Sequence, residues 1–561
     1  MGEAVHEENI LPVSYHTFIY PFSYEEAKDG ETLDSYIDMK ISQNKTAYWR
    51  KADNKDEDQV LLYNAYQYFL PKARNVLFPD AEKDENHVLV NRYVYNLSDK
   101  PEIQIELNDN ETYVLSIGQI SLEIVKEHRI GILTFELENY TAKSEEEIIK
   151  INEYGRRVFA ACVGNNDNEP LKSLLTARGL KISGVHLKNN PEKPFLEIYF
   201  NEEFKDGVKK LKPTISLAEN IIFEGLPEGK WENCILPVLD DRMYAVCLMR
   251  KNYYPPIIRE FGKYRYLNNQ EYAEQLYKFI FLESGDSTCR NVDMMREKLK
   301  EHVYRRWTDT GTVYGVTEYS CVCVTGIDFW LRKAVINPFL TIYVPMVKLV
   351  LLQRSAITKM EKEAQKVSQD LGKGKSVEIK SLWQKYVLFQ NTLLIPQATF
   401  QEQGVELYDM LVKFLKIKEM NAYLEDELQN LFNYAQMDKN ELEKERAEGL
   451  DKKLNIITII GTLLAAGSLM QDIYASLAVN LFGSNTDAVT TGFLITKLVL
   501  YVVVIAVIYH KVLKTKDSIL EDSKSFYEYF KFIFIWLIAL LWMFILAEAL
   551  LLKIGFGNLQ V

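Results

Sequence analysis

The chain has 561 residues, of which 47% are hydrophobic and 26% charged, and its formal net charge is -12. This hydrophobic fraction excludes a disordered protein. The excess of 78 Asp and Glu over 66 Lys and Arg argues against a general nucleic-acid binder, because such proteins bind through basic surface. Six cysteines do not make a disulfide scaffold in so long a chain, which indicates a reducing compartment. The acidic start MGEAVHEENI lacks an apolar core, so we expect no signal peptide.

The first predicted elements are strands between about residues 101 and 140. The segments IQIEL, TYVLSIG, ISLEIV and IGILTFEL alternate apolar and polar residues. A helix is predicted from Ser144 to Cys162, where Ser144 and Glu147 have the spacing of a capping box. Mixed patterns continue to about Phe329 in FLEIYF, TISLAENIIFE, NCILPVL, MYAVCL and EYSCVCVTG. We therefore expect an α/β domain with a mainly mixed sheet over residues 1–340.

Helical periodicity follows this domain. An amphipathic helix is predicted over 345–371, a second over 377–394, and a long polar-rich helix from about 398 to 452. The last of these continues into an apolar segment, which gives about 80 helical residues, or roughly 120 Å at 1.5 Å per residue. Helical patterns of this length are typical of stalks, so we predict a helical stalk over 341–453.

Three apolar segments lie near the C-terminal end, at about 454–481, 492–511 and 529–553. Each is long enough to cross a bilayer, which takes about 20 mostly apolar residues. The link between the first two carries no Lys or Arg, whereas Lys452 and Lys453 precede the first segment and further lysines follow the second. The positive-inside rule then predicts a multi-pass protein of the cell inner membrane, with a large cytoplasmic N-terminal part and a transmembrane domain over 454–561.

The order of these elements resembles the CorA-type divalent-cation channel family. The junction sequence LNIITIIGT, which begins at Leu454, and the later pair Ile473-Tyr474 carry the resemblance, which covers roughly residues 345–512. Where the family has a Gly-Met-Asn signature this chain has Ala475-Ser476-Leu477, and the third apolar segment and the large N-terminal domain exceed the family's plan. These departures, with IGILTFELENY, IKINEYGRRVF and TGTVYGVTEYSCV, are similar to CorA-like membrane effectors encoded beside type III CRISPR systems.

That resemblance implies an antiviral defence function and a set of partners. The chain would form a homo-oligomer in the lipid bilayer, a pentamer by analogy with the family. Its cytoplasmic domain would bind a nucleotide second messenger, S-adenosylmethionine joined to AMP (SAM-AMP), and thereby gate or remodel the membrane part. The resemblance implies neither an enzyme nor direct nucleic-acid binding and no resident cofactor, and it leaves a divalent cation open as a second ligand.

A pore would be lined by one stripe of the first apolar segment. Six residues are spaced three or four apart and would share one face of this helix, and they include its small and polar residues: Leu454, Ile457, Gly461, Ala465, Ser468 and Asp472. A carboxylate at membrane depth usually faces an ion path, and repeated by symmetry Asp472 would form an acidic ring that attracts cations. The alternative is an interfacial aspartate just beyond the hydrocarbon edge.

A nucleotide ligand requires guanidinium groups for its phosphate and aromatic rings for its base. The candidate ligand-binding residues lie in two short segments: Arg156, Arg157, Arg305, Arg306, Trp307, Tyr314 and Thr317, with Thr308 as a further hydroxyl. The alternative for each is a solvated basic turn or a residue of the core.

Other functional classes stay open at this point. A divalent metal cation (Mg²⁺) transporter of the same family is one, although the missing Gly-Met-Asn counts against it, and a membrane scaffold without conduction is another. A nucleotidase is disfavoured because no catalytic cluster is evident, and GKGKS at 372–376 has Gln369 where a P-loop needs its first glycine. Cys321 and Cys323 share one face of a predicted strand, which favours buried thiols over a metal site.

Overall fold

A computed structural model of the chain describes residues 11–27, 29–43, 48–52, 59–78, 89–97, 100–107, 111–158, 161–163, 179–183, 196–199, 201–203, 217–223, 231, 234–239, 242–250, 270–326, 332–369 and 376–482. The chain divides into two compact units, Met1–Lys439 and Asn440–Val561. The predicted spans at 492–511 and 529–553 and most of the GKGKS segment lie outside the described residues.

The first unit is built on strands. They are β1 (Ser14–Tyr24), β2 (Trp49–Lys51), β3 (Asn91–Tyr95), β4 (Glu102–Glu106), β5 (Thr112–Val125), β6 (Ile130–Asn139), β7 (Ala161–Val163), β8 (Gly179–Ser183), β9 (Leu196–Tyr199), β10 (Asn201–Glu203), β11 (Ile235–Pro237), β12 (Tyr244–Arg250), β13 (Val303–Tyr304), β14 (Val313–Val316) and β15 (Ser320–Thr325). The main sheet has the order β13-β14-β15-β12-β1-β6-β5-β4-β8-β9. Its described pairings are antiparallel except β12 with β15, so the sheet is mixed, as predicted.

Three long strands, β1, β5 and β6, form the centre of this sheet. One edge of β1 pairs first with β12 and then with β11, and one edge of β5 pairs first with β4 and then with β3. The sequence predicted two strands where β5 is a single one, and the register shift between Ile117 and Gln119 marks the join. A β-bulge of this kind bends a strand without ending it.

Helices cover the sheet. They are α1 (Leu33–Gln43), α2 (Gln59–Tyr68), α3 (Pro71–Leu77), α4 (Glu145–Gly155), α5 (Leu217–Ile222), α6 (Gln270–Phe281), α7 (Val292–His302), α8 (Val344–Gln369), α9 (Ser376–Thr392), α10 (Glu402–Phe414) and α11 (Ile417–Phe482). The bounds of α8 and α9 agree with the predicted 345–371 and 377–394 to within two residues. The segment TISLAENIIFE contains α5, a helix and not a strand.

The side chains of β1 show how the sheet is buried on both faces. Phe18, Tyr20 and Phe22 enter a core shared with α1, α4, α5, α6 and α7. Tyr15 and Ile19 enter a second core shared with α3, α8, α9, α10 and the first part of α11. The fold of the first unit is therefore a mixed α+β arrangement with helical layers on either side of one sheet.

Among the described residues one helix, Ala334–Gln369, is long and apolar enough to cross a membrane. Only its length and composition suit a membrane, and 67% of its most apolar stretch is buried within the protein. The helix lies in the second core, where Lys348 pairs with Glu123 at 3.2 Å and Lys359 with Glu25 at 2.6 Å. Burial in a protein core explains its apolar composition, since helices buried in a protein core share these properties.

The predicted helix from about 398 onward is divided. α10 ends at Phe414, Lys416 adopts a left-handed conformation with φ 55°, and α11 then extends over 66 residues. Within the first unit α11 buries Leu424, Leu428 and Leu431 in the second core. Within the second unit α11 includes the backbone of the predicted span 454–481. The large apolar side chains that are described from residue 450 onward are exposed: Leu450, Leu454, Ile456 and Ile457.

Candidate functional site

A cavity of about 180 Å³ lies in the first unit where five segments meet. These segments are the end of α4, the approach to β12, the turn between β14 and β15, the middle of α8, and the junction between α10 and α11. The residues that line the cavity are Arg156, Leu239, Arg242, Met243, Tyr244, Glu318, Tyr319, Arg354, Phe414, Leu415 and Lys416.

The cavity is strongly basic. Arg156, Arg242, Arg354 and Lys416 contribute cations and Glu318 contributes a carboxylate, in a chain whose net charge is -12. Arg156 is only 4% exposed, and its guanidinium lies 5.0 Å from the centre of the Tyr319 ring. Burial therefore places a positive charge at the wall of the cavity, beside an aromatic ring. The arrangement suits an anionic ligand that also presents a flat surface.

The position of Arg156 is set by helix α4. The helix begins at the predicted capping box, which is confirmed: the Ser144 Oγ accepts from the Glu147 N–H, and the Glu147 carboxylate accepts from the Ser144 N–H at 2.8 Å. The helix ends at Gly155, earlier than the predicted Cys162. A Cβ at Gly155 would lie 2.7 Å from Cδ1 of Ile105, so a larger residue would force Ile105 or α4 to shift.

Two further contacts hold the end of α4 in place. The Met243 N–H donates to the Arg156 carbonyl at 2.7 Å, which joins α4 to the start of β12. One helical turn earlier, the Asn152 Oδ1 lies 2.7 Å from the His16 Nδ1 on β1. The His16 Nε2 lies 2.8 Å from the Ser14 Oγ, and the burial of the ring lowers the pKa of His16 to about 4. A neutral imidazole therefore fixes α4 to the middle of the sheet.

Arg354 reaches the cavity from α8. Its Nη1 donates to the Leu415 carbonyl at 3.1 Å, which connects α8 to the junction that precedes α11. Its buried Nε has no hydrogen-bond partner among the described residues, and burial lowers the pKa of Arg354. A buried donor without a partner is destabilising, so an anion in this cavity would meet an unsatisfied group.

The predicted ligand-binding residues separate into two places. Arg156 lines the cavity, and the backbone of Arg157 forms an isolated antiparallel β-bridge with that of Arg242. Thr317 lies beside Glu318 in the turn between β14 and β15. The structure therefore brings the end of α4 and this turn together. Thr317 itself is buried, and its Oγ1 bonds to the Ser320 Oγ at 2.7 Å.

The other predicted residues lie at the opposite end of β14. Arg306 pairs with Glu406 at 2.7 Å and Glu402 at 3.1 Å on α10, and Tyr304 donates to the same Glu406. Arg305 and Thr308 lie in the same short segment as Arg306, and Trp307 packs against the second core. Tyr314 is fully buried there. None of these residues lines the cavity that contains Arg156.

Sequence reasoning missed Arg242, Arg354, Lys416 and Glu318. Arg242 and Lys416 are single basic residues on separate elements, and no local pattern distinguishes them. Arg354 could have been found from the sequence, because it is a charged residue within the mostly apolar segment VLLQRSAI of a predicted helix. A charge within such a run usually faces a polar cavity or an ionic partner.

The described residues include the two candidate metal-binding cysteines and half of the predicted pore stripe. Among the described residues no group of His, Cys, Asp and Glu is arranged to hold a metal ion. Cys321 and Cys323 lie on β15 and are buried in the second core, as predicted, and burial raises the pKa of Cys321 to about 12. Of the predicted pore stripe, Leu454, Ile457 and Gly461 are exposed, while the side chains of Ala465, Ser468 and Asp472 lie outside the described set.

Comparisons of this chain with protein-family models, with curated proteins and with solved structures gave no match. The resemblance to CorA-like effectors therefore stays a prediction from the quoted segments. The cavity and its position beside α11 are independent of that resemblance.

Proposed function

We propose that this chain is a nucleotide-gated membrane effector. Its α+β unit binds an anionic messenger in the basic cavity, and helix α11 transmits the binding event to the membrane part. One observation carries this proposal: the cavity is lined by Leu415 and Lys416, which immediately precede the first residue of α11. A ligand bound there would contact the base of the helix that continues into the first predicted span.

The chemistry of the cavity supports a phosphate group as the bound anion. Guanidinium groups bind phosphate oxygens in pairs, and Arg156, Arg242 and Arg354 provide three of them. A volume of about 180 Å³ is smaller than the roughly 300–1,000 Å³ of complete small-molecule sites. The cavity therefore suits the phosphate of a larger nucleotide whose remaining parts extend outward past Tyr319.

The resemblance to type III CRISPR effectors supplies the identity of the messenger, SAM-AMP, and the biological context, antiviral defence. On this proposal the protein is not an enzyme. It is a CorA-like homo-oligomer, a pentamer, in the cell inner membrane, with three spans and a helical stalk. The exposed apolar residues Leu450, Leu454, Ile456 and Ile457 are consistent with a helix that enters lipid. The stripe that ends at Asp472 would line the pore.

The test is isothermal titration of SAM-AMP into the full-length protein in detergent, with cyclic oligoadenylates as control ligands. We expect selective binding that weakens about 10- to 100-fold in Arg156→Met and in Arg354→Met, because each removes charged hydrogen bonds to the ligand. The matched control is Arg306→Gln, which changes an arginine held by glutamates outside the cavity and should bind normally. Absence of nucleotide binding by the wild type would refute the messenger-gated function.

A divalent-cation transporter of the same architecture is the second candidate, favoured by the position of Asp472 within the helical backbone of α11. Such a transporter would restore magnesium-dependent growth to a strain that lacks its own transporters, and Asp472→Asn would weaken this rescue. The gated effector would restore no growth without its messenger.

A further inference from the structure

Glu318 is the one acidic residue among the described residues that line the basic cavity. A compact turn holds it there: the Thr317 Oγ1 accepts from the backbone N–H of Ser320 at 3.0 Å and from that of Tyr319 at 3.2 Å. The Oε1 of Glu318 lies 3.0 Å from the Nζ of Lys416. A protein carboxylate therefore already occupies part of the space in which a ligand's anion would meet its cations.

Lys416 is an unusual residue at a decisive position. Its φ of 55° is in the left-handed region, which residues with side chains rarely adopt. Its N–H donates to the Lys413 carbonyl, and its own carbonyl accepts from the Met420 N–H, each at 3.0 Å, so it closes α10 and begins α11. The adjacent Leu415 and Ile417 are buried, which leaves the Lys416 side chain as the part of the junction that can exchange partners.

We infer that Glu318 is an internal competitor of the anionic ligand, and that ligand binding transfers Lys416 from Glu318 to the ligand. This inference rests on the proposed anion binding in the cavity and concerns its regulation. Both side chains of the pair are more than half exposed, at 59% and 58%, which makes the contact weak and exchangeable. The buried pair of Lys348 with Glu123 in the same unit, with both side chains below 10% exposed, is of the opposite, fixed kind.

The competition explains why one carboxylate belongs in a basic cavity. Without it, an anion would meet four cations in the cavity and no carboxylate. With it, any anion must displace the Glu318 carboxylate from Lys416, which weakens anion binding and keeps the junction in its ligand-free conformation until the ligand concentration is high enough. The transfer of Lys416 also links binding directly to the first turn of α11.

The experiment uses the full-length protein in detergent and inorganic pyrophosphate as the probe. Titration calorimetry compares the wild type with Glu318→Gln, Lys416→Gln and the double variant, while hydrogen exchange follows the amides of residues 415–420 without ligand. The matched control is Glu301→Gln, which breaks the exposed pair of Glu301 with Lys413, 2.7 Å apart. Lys413 lies three residues before Lys416, and its side chain is 57% exposed.

We expect Glu318→Gln to bind pyrophosphate about three- to tenfold more tightly than the wild type, mainly because Lys416 no longer pairs with a protein carboxylate and is available to the anion. When Lys416 is replaced by Gln, Glu318→Gln should increase the affinity by less than half of the factor seen with Lys416 present, because the released lysine is then missing. Exchange at 415–420 should be faster in ligand-free Glu318→Gln and unchanged in Glu301→Gln.

Equal pyrophosphate affinity in Glu318→Gln and wild type, no pyrophosphate binding in either, or an undiminished gain in the Lys416→Gln background overturns the inference. Unchanged exchange in Glu318→Gln also overturns it. If SAM-AMP fails to bind the wild type while Glu318→Gln shows the expected pyrophosphate and exchange results, the nucleotide function fails and the carboxylate competition stands.

Discussion

Acidification should destabilise the first unit through His16, a residue of β1 whose ring contacts Asn152 of α4. Its ring is fully buried, bonds to Asn152 and Ser14, and has a pKa lowered to about 4 by burial. In the unfolded chain the same ring titrates near 6.5. Because the folded pKa is the lower one, the unfolded state binds the proton first, and stability present above pH 6.5 is lost as the pH falls toward 4.

The magnitude follows from the two pKa values. With about 6.5 in the unfolded chain and about 4 in the folded protein, the contribution is close to zero at pH 7.5, and the loss is about 2 kcal/mol at pH 5 and about 3 kcal/mol at pH 4. Carboxylates with lowered pKa values, such as Glu406 and Glu301, contribute only below about pH 4.5. Burial raises the pKa of the Glu361 and Glu427 carboxyls, so these groups also contribute between pH 7.5 and pH 5. A comparison of the wild type with a His16 variant cancels their contribution, because both proteins contain them.

The assay is urea unfolding of the full-length protein in detergent, followed by tryptophan fluorescence at several pH values. His16→Asn keeps a donor near the Nδ1 position and removes the titrating group. We expect this variant to be less stable than the wild type at pH 7.5, because the smaller side chain leaves a gap, but to lose about 2 kcal/mol less between pH 7.5 and pH 5. Parallel pH profiles for the two proteins would refute the argument.

Three further substitutions test the packing of the first unit with the same unfolding assay. His128→Phe should stabilise the protein by about 1–3 kcal/mol, because both ring nitrogens of this buried histidine lack hydrogen-bond partners among the described residues. The gain should be larger at pH 5, because burial lowers the pKa of His128 to about 4, and a loss of stability would contradict the reasoning. Gly155→Ala should cost about 1–3 kcal/mol through its contact with Ile105 and should also weaken ligand binding, whereas unchanged stability would show that α4 can shift. Lys348→Met should cost about 3 kcal/mol because Glu123 stays buried without its closest cation, and the double variant Lys348→Met with Glu123→Gln should recover part of this loss.

Local features of the fold could be predicted from the sequence. The capping box at Ser144, the strand that contains Cys321, and the helices 344–369 and 376–392 follow from short-range patterns, because capping, alternation and helical periodicity involve neighbouring residues. The division of the long helix was missed because Lys416, not a glycine or proline, adopts the left-handed conformation there.

The candidate site could be predicted only in part, because it is a property of topology. Arg156 was identified from its own segment, but its partners Arg242, Arg354 and Lys416 reach the cavity from three other elements. Their convergence depends on strand order, including the parallel pairing of β12 with β15, which no local pattern specifies. The segment around Arg306 has the same composition as a phosphate site, yet two glutamates of α10 neutralise it.

The energies involved decide which contacts can drive gating and which can only set its threshold. To move a two-state equilibrium from 1:99 to 99:1 requires about 5.5 kcal/mol of differential binding. An exposed pair such as Glu318 with Lys416 is worth about 0–1 kcal/mol, so its exchange cannot supply this amount. The base of α11 is also anchored by Leu424 and Leu428 in the second core, which makes its displacement a discrete repacking step.

On the proposed gating, the driving free energy would come from the guanidinium groups of Arg156, Arg242 and Arg354, since charged hydrogen bonds to a partly buried anion contribute about 1.5–3 kcal/mol each. Glu318 would then set how much of the binding free energy is needed to separate Lys416 from its carboxylate. A variant without the Glu318 carboxylate should accordingly respond at lower ligand concentration and still require the ligand. Constitutive activity in Glu318→Gln would mean that the junction alone, without the arginines, holds α11 in its resting state.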